Sequence, residues 1–411
     1  MMLLYLITSC FFLIYDLLVM KRISISALTM AVTGIFVLTS SGAGYGDFYF
    51  FSFAFFGVLV AYLVEVTTVS PIIFKEPVQL NIRSSDLLKV DRVEKFAHYL
   101  ALTGFLFMFI RIFEVSIKHG GIVSAFLRLR VEEYLKGGIV EASLLSPLIY
   151  VLTPFVILYI GRNIELKQYK QFTFGMLVVL CYYLMLAETR LPLLFLIMTP
   201  VIYYFINSSF SKRFILFIFG SIFFPIAFIF YINLGAMIRS GAGGRIDFSS
   251  LLSMEKFNSQ LGYRGWVNDL VTYVDVNGFS YGIQWFVNPI ITFVPRFFWA
   301  DKPITSTSNY LHTVVGGFSM GDGNYITTYT IFGEGYFQYG YIGVFLASLL
   351  MVGCLYVIAR LSRVFLGYRF FMIWTVLRFI PFIRAEVPVF LVLTYIIEIF
   401  LLLFLSRLKI K

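Results

Sequence analysis

Apolar runs separated by short polar turns follow one another along nearly the whole chain. A helix crosses the hydrocarbon core with about 20 apolar residues. On that measure the runs Leu3–Met20, Ile23–Thr39, Phe48–Val66, Phe96–Val115, Pro147–Ile160, Phe172–Ala187, Leu191–Ile206, Phe214–Leu234, Tyr336–Ile358, Phe370–Ile383 and Val387–Leu405 predict about eleven spans. The runs are continuous and lack the period-two alternation of a membrane barrel. The pattern therefore predicts an all-α polytopic membrane protein. Two stretches leave the apolar register, one long at about 239–335 and one shorter at about 116–146. No solenoid repeat divides the chain, so residues 1–411 read as a single integral membrane domain carrying two large loops.

Composition sharpens this picture. The chain is 60% hydrophobic and 13% charged, whereas soluble chains carry about 25% charged residues. The net charge of +10 reflects basic residues flanking apolar runs, so it does not imply a nucleic-acid partner. Cys10, Cys181 and Cys354 all lie inside apolar runs, where cysteine acts as a small hydrophobe. They build no disulfide framework or zinc spacing. His98, His119 and His312 are too scattered for a metal site, so no metal and no cofactor are expected. Lys21 and Arg22 follow the first apolar run instead of preceding it, which makes that run a retained span and not a signal peptide.

Basic residues also set the orientation. With the N-terminus outside, 18 of the 32 Lys and Arg fall in segments facing the cytoplasm. Both large loops then face away from it. Asp16 and Glu65 lie near inner span ends, where snorkelling to the interface is expected. Glu398 lies deeper, where a lone charge costs about 3 kcal/mol or more, and pairing with an arginine inside the bundle is expected. In the shorter loop, Phe126, Leu127, Leu129, Val131 and Leu135 alternate with charges as in an interfacial helix. Gly282–Pro295 is apolar but too short to span, which fits a re-entrant segment.

The candidate chemistry centres on arginine, which stays charged and offers a planar fork of donors to phosphate oxygens. Arg190 sits in a short outer turn, Arg239 and Arg245 flank Gly241–Gly244, Arg296 and Lys302 bracket PRFFWADKP, and Arg384 lies in IRAEVP. Short outer turns ordinarily avoid such residues. As a set, these six suggest an anion clamp above the bundle. No G-x-S-x-G motif occurs, and Gly235–Gly244 lacks Walker spacing.

An outer Arg in an ETRLP turn, RSGAGGR, PRFFWADKP, TIFGEGYFQYGYIG leading into a span, and a late RAEVP turn together resemble the O-antigen polymerases (Wzy type) of the bacterial inner membrane. The sharpest elements are Pro295-Arg296 with Lys302-Pro303, and Gly333-Glu334 with Gly340. The resemblance implies a GT-C-like, metal-independent glycosyltransferase acting at the periplasmic face. It would take undecaprenyl-pyrophosphate-linked oligosaccharide as both donor and acceptor, among membrane lipids and alongside a flippase and a chain-length regulator. In that reading the six cations stabilise the departing pyrophosphate. A base must activate the attacking sugar hydroxyl; Glu334 is the first candidate, followed by Asp301, His312 and Glu386. Trp299, Tyr325 and Tyr336 are candidates for stacking on sugar rings. Two alternatives stay open. An O-antigen ligase would transfer to lipid A core, and His312-Thr313 partly matches its periplasmic histidine pattern. A transporter of the lipid-linked unit would place polar groups at the midplane with repeat symmetry.

Overall fold

The computed structural model describes residues 8, 11–22, 24–30, 45–69, 84–118, 120–121, 145–185, 190–220, 266–282, 331–363, 365–378 and 397–408. These are almost wholly helical, and no strand occurs among them. The helices are α1 (Tyr45–Thr68), α2 (Ser84–Lys118), α3 (Leu145–Glu165), α4 (Tyr169–Met185), α5 (Arg190–Asn207), α6 (Trp266–Asn277), α7 (Ile331–Ser362), α8 (Tyr368–Arg378) and α9 (Ile397–Leu408). A π-helical turn, Tyr15–Val19, precedes them, and further helical stretches cover 25–30 and 210–220.

Segments Glu94–Lys118, Leu148–Glu165 and Ile331–Ser362 are long and apolar enough to cross a bilayer, and Ser52–Thr68 and Phe195–Asn207 are shorter apolar helices. The described residues are thus those of a helical protein of membrane character. Along α2, Ala97, Ala101, Phe105, Met108 and Val115 are buried, while Leu102, Leu106, Phe109, Phe113 and Ile117 are exposed. Both faces are apolar. An aqueous helix would instead carry polar residues outward, so the exposed face is suited to lipid.

Helix boundaries differ from the hydropathy reading in three places. Residues 84–95, expected as loop, are helical: the polar turn SSDLLKVDRVEK propagates the helix into water, where hydropathy cannot follow it. The long loop expected at 239–335 contains α6 and ends in the first turn of α7. Residues 116–118 and 145–146 of the shorter loop also belong to helices. The interfacial helix expected around Phe126–Leu135 lies outside the described residues, as does the Gly282–Pro295 re-entrant segment beyond Gly282.

The chain forms two compact units. One comprises Met1–Lys89, Tyr263–Val364 and Thr375–Lys411; the other comprises Val90–Gly262 and Phe365–Trp374. In the first, α7 packs along α1 and also meets α9, and α6 contacts both α1 and α7. Gly57 of α1 makes the closest approach possible, since a Cβ there would stand 3.0 Å from Ser348 Oγ and 3.1 Å from Phe345 Cα. Small residues at such contacts are how helices associate where lipid removes the hydrophobic drive. In the second unit, α3, α4 and α5 pack in sequence, and Gly104 of α2 lets Leu152 and Val156 of α3 come close.

Gly367, in the turn before α8, has φ +86, and a Cβ there would lie 2.2 Å from the Arg162 backbone nitrogen. Gly367→Ala should therefore destabilise the protein by about 1–3 kcal/mol through overpacking. Gly353→Ala meets nothing within 4 Å and should be neutral or slightly stabilising in a helix. Thermal unfolding in detergent compares the two variants.

Candidate functional site

The site begins with a helix that cannot run straight. In α7, Tyr339 (φ −143, ψ 20) and Gly340 (φ 63, ψ −147) leave helical geometry. The Gly340 conformation is essentially open to glycine alone. The break lets the two parts of the helix touch, because Gly335 and Gly343 have no side chains to hold them apart; a Cβ on Gly335 would stand 2.4 Å from the Gly343 carbonyl oxygen. Every residue from Ile331 to Gln338 is buried. A helical segment covered on all sides must be enclosed by protein if it enters a membrane.

The segment that follows α6 braces the break. The Ser280 backbone N–H donates to the Phe337 carbonyl at 3.0 Å, giving a partner to a group that the interrupted helix leaves over. Phe279 packs on Tyr336 at a centroid distance of 6.2 Å, and Tyr273 of α6 lies 6.3 Å from Phe337. From α1, Phe50 reaches Tyr336 at 5.9 Å and Phe53 stacks on Tyr341 at 4.9 Å. Gly282 sits under Tyr339, where a Cβ would fall 1.7 Å from the hydroxyl.

Glu334 lies in the first turn of α7 at 1% exposure, and Gln338 follows one turn later on the same face, also buried. An acidic group in the first turn is favoured by the helix dipole. A carboxylate is a residue type that can accept a proton from a hydroxyl brought to it. Tyr336 is 3% exposed and packs against Phe50, Phe279 and Tyr341.

Of the other residues expected at the site, Arg190 is the first residue of α5. Arg239, Arg245, Trp299, Arg296, Asp301, Lys302, His312, Tyr325, Arg384 and Glu386 lie outside the described residues. Comparisons with family models, curated proteins and solved structures give no match to this chain.

Two further polar clusters lie in the same unit. Arg22 donates through Nε to Asp16 Oδ1 at 2.7 Å, and Tyr62 donates to the same oxygen at 2.9 Å. Glu65 accepts four hydrogen bonds, from the Ile25 and Ser26 amides and from the Ser24 and Ser26 hydroxyls, at 2.6–3.0 Å. It thereby caps the helical stretch at 25–30 from another element. Asp16 and Glu65 are buried and paired rather than snorkelling to the interface. The reason is the helix face: Ala54, Val58, Ala61 and Glu65 form one buried stripe along α1, so Glu65 points where its small neighbours pack. Sequence reasoning missed both clusters, although charged residues inside apolar runs were a readable signal. Glu398 has the partner expected of it, a buried ion pair with Arg378.

Proposed function

We propose that the chain polymerises undecaprenyl-pyrophosphate-linked oligosaccharide units by metal-independent glycosyl transfer at the periplasmic face of the bacterial inner membrane. The reading rests on the motif resemblance, and the observation that carries it structurally is Glu334, a buried carboxylate on a short helical segment next to a braced break. In this scheme Glu334 removes the proton from the acceptor sugar hydroxyl as that oxygen attacks the donor's anomeric carbon. The bond from that carbon to the pyrophosphate oxygen breaks, and the lipid pyrophosphate leaves with its electron pair. Arg296, Lys302, Arg239, Arg245, Arg190 and Arg384 would balance the charge that builds on it. The break at Tyr339–Gly340 sets the segment carrying Glu334 apart from the membrane helix behind it.

A transporter of the lipid-linked unit is the second reading. Broken helices and buried ionisable groups are characteristic of transporter sites, and α7 with Asp16, Glu65 and Glu398 supplies both. Removing the protein from its cell separates the possibilities. Loss of a polymerase leaves lipid A core capped by a single unit. Loss of a transporter leaves the core bare, without lipid-linked polymer. Loss of a ligase leaves the core bare while lipid-linked polymer accumulates. The single-unit phenotype is expected.

A further inference from the structure

A second site lies in the other compact unit, at a cleft between the start of one membrane-length segment, Glu94–Lys118, and the end of another, Leu148–Glu165. Both segments carry charges here, Glu94 and Lys95 on one and Arg162 and Glu165 on the other, the composition of a span end near the membrane–water interface. The walls of the cleft include Phe155 and Leu158, and its polar lining is Glu94, His98, Tyr159 and Arg162. The cleft is partly open to its surroundings, and the space in front of its lining, open part included, is about 290 Å³.

Two buried polar atoms in this lining, Arg162 Nε and His98 Nδ1, have no hydrogen-bond partner. Leaving a buried donor unsatisfied is costly, and here both orphaned nitrogens belong to residues facing one cleft. Glu94 does not complete them: its Oε1 accepts the Leu366 amide at 3.1 Å, and Arg162 makes no ion pair with a described carboxylate. Three residues beyond Arg162 on α3, Glu165 accepts the Gly367 amide at 3.0 Å through Oε2. What remains open is a guanidinium and an imidazole above an apolar wall.

We infer that this cleft binds a phosphate group, held by Arg162 and His98. A guanidinium matches phosphate oxygens with paired, charge-assisted hydrogen bonds, and the apolar wall accommodates the chain of an amphiphile. The ligand is either the headgroup of a bilayer phospholipid or a free phosphate. The site is independent of the glycosyl-transfer reading, because none of its residues belongs to that scheme.

The test uses the full chain in an uncharged detergent, titrated with phosphatidic acid, with diacylglycerol and with inorganic phosphate, and read by native mass spectrometry and thermal unfolding. Phosphatidic acid should bind and raise the unfolding temperature, whereas diacylglycerol, which lacks the phosphate, should not. Arg162→Gln should weaken that binding by about tenfold or more, and Arg162→Lys should fall between. Inorganic phosphate that protects as well as the lipid would identify a free phosphate ligand; protection by the lipid alone would identify a headgroup. If Arg162→Gln does not fold, His98→Phe probes the same cleft and should also weaken binding. Equal binding of diacylglycerol and phosphatidic acid, or unchanged phosphatidic acid binding in a folded Arg162→Gln or His98→Phe variant, overturns the inference.

Discussion

Glu334→Gln should abolish the polysaccharide ladder in cells while leaving the protein at its normal level. The substitution keeps the size and shape of a side chain that is 1% exposed, so no cavity opens, and one acceptor oxygen becomes an amide donor. It removes the one property that the mechanism needs, the ability to take up a proton. Positioned acid–base groups contribute about 10²–10⁴-fold to rate, and a loss on that scale takes a multi-step polymer below detection. Glu334→Asp should recover part of the activity, since it restores a carboxylate about one methylene short of its place. Gel analysis of lipopolysaccharide, with immunodetection of the protein, checks both. A normal ladder from Glu334→Gln would remove this residue from the chemistry and reassign it to packing of the α7 break.

The second large effect concerns stability. Arg378 and Glu398 form a buried ion pair. Removing one partner leaves the other charge buried and uncompensated, at a cost of about 3–5 kcal/mol. Arg378→Met alone should therefore lower the unfolding temperature sharply or prevent accumulation in the membrane. The double variant Arg378→Met with Glu398→Leu should recover most of the loss, because apolar replacement of both members of a buried pair is often neutral or better. Unfolding in detergent, compared across the single and double variants, measures the coupling. A double variant no more stable than the single would show that the pair also supports something beyond itself.

How far the sequence reveals this architecture depends on which physical signal each element emits. Membrane helices emit apolar length, and α1, α3, α4, α5 and α7 lie where their apolar runs predict them. A polar continuation emits none, which is why the start of α2 at Ser84 looks like loop, and the glycines of IFGEG hide the start of α7 at Ile331 in the same way. The helix α6 was legible but unread: Val267, Leu270, Val271 and Val274 recur at helical spacing in WVNDLVTYVDVN, and Leu270 and Val274 are buried. The break in α7 was half visible. Gly335, Gly340 and Gly343 stand out in the sequence, but the need for Gly340 follows from a backbone conformation that appears only once Phe279 and the Gly335–Gly343 contact are in place.

At the candidate site, the sequence supplied the residue types and the structure supplied their surroundings. Glu334 stands out in a motif, but its burial beside Gln338 is not legible in the string, because an acidic residue among the glycines at the start of a run looks like loop. Tyr336 illustrates the opposite limit. Aromatic identity suggests a platform for sugars, while the string does not show that Phe50 and Phe279, from other elements, and Tyr341, from the same helix, pack around the ring. For Glu65 the deciding feature is its position around the helix, on the buried stripe with Ala54, Val58 and Ala61, and not its position along the span.

Purified protein in proteoliposomes, given undecaprenyl-pyrophosphate-linked repeat units and neither core acceptor nor metal, tests the central claim most directly. The account expects a ladder of lipid-linked products that lengthens with time. Units that remain single under conditions where the reconstituted protein is folded would contradict it.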